Sequence, residues 1–315
     1  MTMTQPTAIQ MAPFSAYLEE QLERRFRIIR WHDLTPAEQQ AALDGADETL
    51  CAVVTNGHVG CPDALLTGLP GLKIVAIHGV GFDKVNRPLA REKGISVTTT
   101  PNVLNEDVAD LAIGLIISLL RSIAPADAFV RAGTWEQAEY PLANKVTGRR
   151  FGIVGLGSIG AEIARRLTAF GPVAYTGTAP KQVPYDYHPD ALSLARASDV
   201  LIVACPSNAA THHLIDEAIL DALGPQGYVV NIARGAVIDE AALITALDQR
   251  RIAGAALDVF EHEPHVPEAL WASPHVLLTP HIASATEETR RDMADMVLAN
   301  LDAMLAGAPP PHALA

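Results

Sequence analysis

The chain has 315 residues, with 23 Lys plus Arg against 36 Asp plus Glu, and a formal net charge of −13. That length suits two domains of about 100–200 residues, and so acidic a surface excludes binding to nucleic acid through a basic face. Three cysteines (Cys51, Cys61, Cys205) without ligand spacing, no basic residue or long apolar run in the first 20 positions, and an apolar stretch at 111–120 too short for a bilayer lead to the expectation of a cytoplasmic protein with no metal cassette and no membrane partner.

In chain order, the opening residues read as polar, followed by a helix over 14–22. Strands are expected at 26–29, 51–55, 73–77 and 95–98, with helices at 36–43, 62–66 and 87–93 between them. Alternation of this kind predicts a parallel sheet with crossovers, whose ligands lie beyond the carboxyl ends of the strands. Two turns there, Asn56-Gly57-His58-Val59-Gly60 and His78-Gly79-Val80-Gly81, are candidate substrate loops, and their polar groups suit a hydroxylated ligand. Pro101-Asn102 marks a crossover between domains. Asn105 is a good N-cap for a helix running to about Arg121, which is apolar on most faces and so must be buried, in a core or at a subunit interface.

Phe151 to Val154 read as a buried strand, followed by Gly155-Leu156-Gly157-Ser158-Ile159-Gly160 and then by apolar residues at helical period. Strand, G-x-G-x-x-G turn and helix in this order predict a dinucleotide site. The first glycine allows the tight turn, the second lets backbone approach a pyrophosphate, and the third lets helix pack on strand. Further strands are expected at 173–175, 199–204, 228–232, 255–259 and 276–279, and a last helix at 287–305. Arg234, Glu263 and His281 each fall just beyond the end of one of these strands. A guanidinium offers a fork for a carboxylate, and a histidine oriented by a carboxylate passes a proton near neutral pH. Taken singly each has a bland reading as a salt bridge, a loop charge or a core histidine; at three strand ends beside a dinucleotide fold they predict chemistry.

The motifs Val80-Gly81-Phe82-Asp83, Asn105-Glu106-Asp107-Val108-Ala109-Asp110, Gly155-x-Gly157-x-x-Gly160, Asn231-Ile232-Ala233-Arg234-Gly235, Leu257-Asp258-Val259-Phe260-Glu261-x-Glu263-Pro264 and Thr279-Pro280-His281-Ile282-Ala283-Ser284 resemble those of the D-isomer-specific 2-hydroxyacid dehydrogenase family. The resemblance covers nearly the whole chain. It is nearest the branch of glyoxylate/hydroxypyruvate, 2-ketogluconate and hydroxyphenylpyruvate reductases. It implies two doubly wound parallel-sheet domains: a Rossmann nucleotide domain at 103–285 inserted in a flavodoxin-like substrate domain made of 1–102 and 286–315. It further implies that Arg234, helped by the N–H groups of Val80 and Gly81, binds a 2-oxo-acid carboxylate, and that His281 is the general acid oriented by Glu263. Asp258 would sit near the nicotinamide. Cys205, Pro206, Thr211, Ile232, Ala233 and Ala283 would complete the cofactor surface, and the helix at 105–121 would lie at a homodimer interface.

Folds that prefer NAD place an acidic residue at the end of the second strand for the ribose 2′-hydroxyl. Here that place reads Tyr175-Thr176-Gly177-Thr178-Ala179-Pro180-Lys181, and no carboxylate follows until Asp186. The expectation is therefore a preference for NADP(H), with NAD(H) also admitted, and with Thr176, Thr178 and Lys181 around the extra phosphate. NADP-dependent relatives often carry Arg where Thr178 stands, a departure from the family pattern. The activity expected is NADPH-dependent reduction of small 2-oxo acids to D-2-hydroxy acids. The alternatives are a reductase of bulkier hydroxyphenylpyruvate-type acids and a nucleotide-sensing scaffold of the same fold. Glu263 argues against a formate dehydrogenase, whose pattern carries Gln there, and the absence of ligand spacing argues against a zinc alcohol dehydrogenase.

Overall fold

A computed structural model describes residues 5–314. The chain divides into two compact units, Met1–Leu104 with Thr286–Ala315, and Asn105–Ala285. The first contains β1 (Thr7–Gln10), α1 (Ala16–Arg25), β2 (Arg27–Arg30), α2 (Pro36–Asp44), β3 (Leu50–Asn56), α3 (Asp63–Gly68), β4 (Ile74–His78), α4 (Arg87–Glu92) and β5 (Ser96–Thr98). The second contains α5 (Asn105–Arg121), α6 (Ile123–Arg131), β6 (Phe151–Val154), α7 (Ser158–Leu167), β7 (Val173–Thr176), β8 (Asp186–His188), α8 (Ala191–Arg196), β9 (Val200–Val203), α9 (Glu217–Leu223), β10 (Tyr228–Asn231), α10 (Glu240–Asp248), β11 (Gly254–Leu257), α11 (Glu268–Trp271) and β12 (Val276–Leu278). The chain then returns to the first unit as α12 (Glu287–Leu305).

The first sheet has the order β2-β1-β3-β4-β5 with every pair parallel, the flavodoxin-like arrangement. Parallel sheets are covered on both faces, so their central strands are continuous apolar runs. β3 and β4 are buried almost throughout. On one face Ala52, Val54, Ile74 and Ala76 pack with Leu18 and Leu22 of α1 and Val297, Leu298 and Leu301 of α12. On the other, Ile9, Val53, Val75 and Ile77 pack with Trp31, Leu65 and Leu66. The strand β1 corrects the sequence reading, which took this segment as polar. At its buried polar end the Gln10 amide nitrogen donates to the Ala12 carbonyl and to Glu19, each at 2.9 Å, so a glutamine is tolerated in the sheet interior with both of its donors used.

The second sheet has the order β12-β11-β10-β9-β6-β7-β8, again parallel throughout. The strand order reverses between β6 and β9, and the crevice at their carboxyl ends is the expected ligand position in such a sheet. The edge strand β8 and the helix α6 are additions to the sequence reading. The helix α5 begins on Asn105 itself, and its apolar side (Val108, Ala112, Leu115, Ile116, Leu120) is buried within its own unit, where it neighbours α7, β10, β11 and β12. Its burial thus needs no partner subunit. Among the described residues no single helix is long and apolar enough to cross a membrane; the bent pair α5–α6 passes only by combined length and composition. All three cysteines are buried and unpaired.

His78 closes β4 and is 6 % exposed. Its ring lies 5.5 Å from that of Phe14, centroid to centroid, and its Nε2 is 3.4 Å from the Arg290 carbonyl oxygen. Burial first, and then the Arg290 charge, hold its pKa down at about 4. The folded chain therefore refuses a proton that the unfolded chain accepts below about pH 6.5. Stability conferred by neutral His78 is complete above that value and is lost as the pH falls towards 4. Between pH 7 and pH 5 the His78→Gln variant should lose about 2 kcal/mol less stability than the wild type in urea unfolding; parallel losses in the two proteins would refute this account.

Candidate active site

Every carboxyl end of the second sheet except that of the edge strand β8 leads into a loop that carries residues singled out from the sequence. After β6, Gly155 has φ +98°, and a Cβ there would stand 2.7 Å from the Cys205 Cα. A Cβ on Gly160 would lie 2.1 Å from the Gly155 carbonyl oxygen. These two positions accept no side chain, because backbone meets backbone at the crossing of β6, α7 and the loop after β9. A Cβ on Gly157, by contrast, would meet nothing within 4 Å. The N–H groups from Leu156 to Gly160 find no acceptor among the described residues. A row of unsatisfied donors at the start of a ten-residue helix is a ready site for phosphate oxygens, so the chain's own atoms fit a dinucleotide pyrophosphate.

The loop after β7 folds back over this turn. Thr176 is buried, and its carbonyl accepts from Gly155 N at 2.9 Å. Lys181 N–H donates to the Tyr175 hydroxyl at 2.6 Å, and Lys181 Nζ donates to the Leu156 carbonyl at 2.5 Å. The Lys181 ammonium is therefore tethered at the glycine turn, whereas Thr178 is exposed. After β9, Cys205 is buried, which pushes its thiol up to about 11 and leaves it unreactive. Thr211 closes that loop on itself. Its hydroxyl donates to the Pro206 carbonyl at 2.7 Å and accepts from Asn208 N at 2.9 Å.

Arg234 stands in a turn braced by Asn231, which is 1 % exposed. The Asn231 amide donates to the Arg234 carbonyl and its oxygen accepts from Ala233 N, both at 3.0 Å. The Arg234 guanidinium donates to the Ala233 carbonyl at 2.7 Å. Ile232 is buried and Ala233 half-buried beside it.

Glu263 and His281 meet as expected. Glu263 Oε2 is 2.9 Å from His281 Nδ1, Oε1 accepts from Phe260 N at 2.9 Å, and both side chains are about one quarter exposed (23 % and 24 %). His281 has φ +52°, a left-handed conformation that costs a non-glycine residue energy and persists only where its surroundings impose it. Asp258 imposes it. This carboxylate is fully buried and accepts from the Thr279 hydroxyl at 2.6 Å, from Ile282 N at 2.9 Å and from Ala283 N at 3.0 Å. Asp258 and Ala283, both assigned to the cofactor surface from the sequence, are here bonded to each other. Their visible work is to clamp the backbone on either side of His281.

A second histidine–carboxylate pair, which the sequence reading missed, holds the same loop from outside. His213 Nε2 is 2.9 Å from Glu261 Oε1, and Glu261 N donates to Glu240 at 3.3 Å. Burial, with Glu261 adding to it, raises the Glu240 carboxyl above the usual range. No sequence spacing marks this pair, because His213 follows β9 and Glu261 follows β11.

In the first unit, Val80 and Gly81 follow β4, and their N–H groups have no acceptor among the described residues. Of the polar groups expected nearby, Asn56 and His78 are engaged elsewhere. The Asn56 side-chain oxygen accepts from His58 N at 3.0 Å and Val59 N at 2.9 Å, and His78 is buried against Phe14.

Comparison with known proteins agrees with this geometry. Residues 113–283 match the model of the D-isomer specific 2-hydroxyacid dehydrogenase NAD binding domain. The chain is 47 % identical to a glyoxylate/hydroxypyruvate reductase of Arabidopsis thaliana over 301 residues, covering 95 % of this chain and 96 % of that one. It is 45 % identical to a hydroxyphenylpyruvate reductase of Plectranthus scutellarioides over 303 residues, covering 96 % of each. A solved NADPH-dependent glyoxylate/hydroxypyruvate reductase from Sinorhizobium meliloti, in complex with NADP and malonate, superimposes with a TM-score of 0.91 at 39 % identity, over 99 % of this chain and 97 % of that one.

Replacing Asp258 by Asn puts a donor where the buried site needs only acceptors. The Asp258→Asn variant should lose about 2 kcal/mol of stability, read from the urea midpoint, and should lower kcat as the His281 loop loosens. Unchanged stability and turnover would show that something else holds the loop.

Proposed function

This chain belongs to the D-isomer-specific 2-hydroxyacid dehydrogenase family, is an NAD(P)-dependent oxidoreductase, and from that premise we propose that it reduces small 2-oxo acids to D-2-hydroxy acids with NADPH. The observation that carries the reading is the His281–Glu263 contact of 2.9 Å, at the sheet edge that also bears Arg234 and the glycine turn. When bound, the nicotinamide supplies hydride to the carbonyl carbon. Arg234 holds the substrate carboxylate and stabilises charge growing on the carbonyl oxygen. Glu263 takes the Nδ1–H of His281, which leaves Nε2 as the nitrogen that delivers the proton. The N–H groups of Val80 and Gly81 are assigned to the same carboxylate. Glyoxylate, hydroxypyruvate and 2-ketogluconate are the substrates in view, because relatives carry the names of reductases for all three; a hydroxyphenylpyruvate-type acid is the second reading, supported by the Plectranthus relative.

The cofactor preference rests on the absence of a carboxylate between Tyr175 and Asp186 and on the position of Lys181, whose ammonium reaches the glycine turn. Thr176 offers its hydroxyl from the end of β7, and Thr178 an exposed one. A cytoplasmic homodimer completes the proposal. Its support is the apolar exposure that follows α5, with Ile123, Val130, Trp135 and Leu142 all turned to solvent.

The His281→Ala variant should lose about 10²–10⁴-fold in kcat, the usual contribution of a positioned acid, and an unchanged kcat would remove His281 from the mechanism. With hydroxypyruvate, kcat/KM should favour NADPH over NADH by at least about tenfold, equivalent to roughly 1.4 kcal/mol, and Lys181→Ala should narrow that ratio. A tenfold preference for NADH would exclude the cofactor assignment.

A further inference from the structure

The loop after β9 carries two histidines in succession, and the reaction proposed above uses neither. His213 has φ +51°. The fold pins the chain on both sides of it, through His213 N to the Ala236 carbonyl at 2.8 Å and Ile215 N to the Val237 carbonyl at 3.0 Å. Successive side chains of an extended chain point to opposite sides. The left-handed turn instead stacks the His212 and His213 rings, with centroids 4.0 Å apart and planes 27° apart. His212 is exposed, so its imidazole is open to a ligand from solvent.

A carboxylate from a separate loop faces this pair. Glu261 follows β11, and its Oε1 lies 2.9 Å from His213 Nε2. The side chains of His213 and Glu261 keep 35 % and 21 % of their exposure, which leaves a path from solvent. One ligand atom from each of His212, His213 and Glu261 falls within 4.8 Å of the other two. Around a tetrahedral ion with bonds of about 2.0–2.2 Å, ligand atoms stand about 3.4 Å apart. The His213–Glu261 contact then opens slightly, and rotation of the exposed His212 ring closes the remaining gap. The ion takes the place of the proton that His213 Nε2 now donates to Glu261. That proton moves to Nδ1, on the side where Asp239 Oδ2 lies 3.9 Å away, and an outer carboxylate on the far nitrogen is the usual support of a metal-bound imidazole. The other Asp239 oxygen accepts from Ala242 N at 3.0 Å, which fixes the carboxylate in place. Among the described residues no Lys or Arg pairs with Asp239 or Glu261.

We propose that His212, His213 and Glu261 bind a divalent transition-metal ion of the zinc class, with solvent completing its shell. Two imidazoles and one carboxylate suit Zn²⁺, Co²⁺ or Ni²⁺, whereas Mg²⁺ and Ca²⁺ take oxygen ligands. The ion stands outside the reaction. It ties the loop after β9 to the loop after β11, two residues ahead of Glu263.

Cobalt(II) is the probe, because its ligand-field absorption reports the coordination that d¹⁰ zinc leaves silent. Titrated into the untagged chain, Co²⁺ should bind once per chain and develop a d–d band. Zn²⁺ should displace it, and Mg²⁺ in about hundredfold excess should not. His212→Ala, at an exposed position, should weaken Co²⁺ binding at least about tenfold. His281→Ala should bind Co²⁺ as the wild type does; it is the control because His281 and Glu263 form another imidazole–carboxylate pair in this unit. Zn²⁺ should also raise the urea midpoint of the wild type and leave that of His212→Ala where it was, since only an ion bound to the folded chain stabilises it. Absence of a d–d band in the wild type overturns the proposal. So does an unchanged affinity in His212→Ala, or loss of the band in His281→Ala, which would place the ion at the catalytic pair.

Discussion

The buried carboxylate of Asp258 fixes the backbone from which His281 projects. Three donors converge on it, two of them backbone N–H groups on the far side of the histidine and one a hydroxyl two residues before it. A fully buried carboxylate is tolerable only when hydrogen bonds replace its water, and here the replacement groups all come from the loop that must be shaped. The cost of burying a charge and the cost of a left-handed histidine are thus met by the same contacts. Since Asp258 directly follows β11, the central sheet transmits its rigidity to the histidine through one side chain.

Glu263 faces a related problem from the other side. Four residues separate it from Asp258, and the intervening backbone turns so that Phe260 N donates to Glu263 itself. Within that loop Glu261 is tied to His213 and, through its N–H, to Glu240. A carboxylate that orients a histidine gains nothing from its charge unless its own position is held, and the outer pair supplies that restraint from two further elements. Asn231 does the same for the Arg234 turn with neutral groups.

Much of this was legible in the chain. The glycine turn, the apolar strands and the placement of Arg234, Glu263 and His281 at strand ends follow from period and position, because a parallel sheet delivers all its carboxyl ends to one edge. The strand β1 was not legible. Four residues ending in Gln10 carry too little apolar signal, and the bonds that make Gln10 acceptable in a core come from Glu19 in a separate element. The edge strand β8 has one partner and little burial, so no pattern announces it. The second histidine–carboxylate pair and the clamp by Asp258 depend on tertiary meetings between loops. Asn56 misled for a further reason: a polar side chain in a turn bonds its own backbone first, and only the fold shows that its oxygen is already used.

The contact of Lys181 with the Leu156 carbonyl also bears on how sharply the cofactors are distinguished. On the proposed reading, Lys181 stabilises a 2′-phosphate without leaving the turn, since an ammonium carries three donors and the carbonyl takes one. It is nevertheless a point charge on a flexible stem and cannot grip a phosphate as the bidentate fork of an arginine does. Thr178 provides no such fork. The discrimination therefore comes from two modest sources, a cation already in place and the absence of an acid that would repel the phosphate. Neither excludes a cofactor that lacks the phosphate, because a ribose hydroxyl meets no unpaired anion and loses only the ammonium contact. On the proposed reading, this arrangement of charges predicts a graded preference for NADPH, with NADH still accepted.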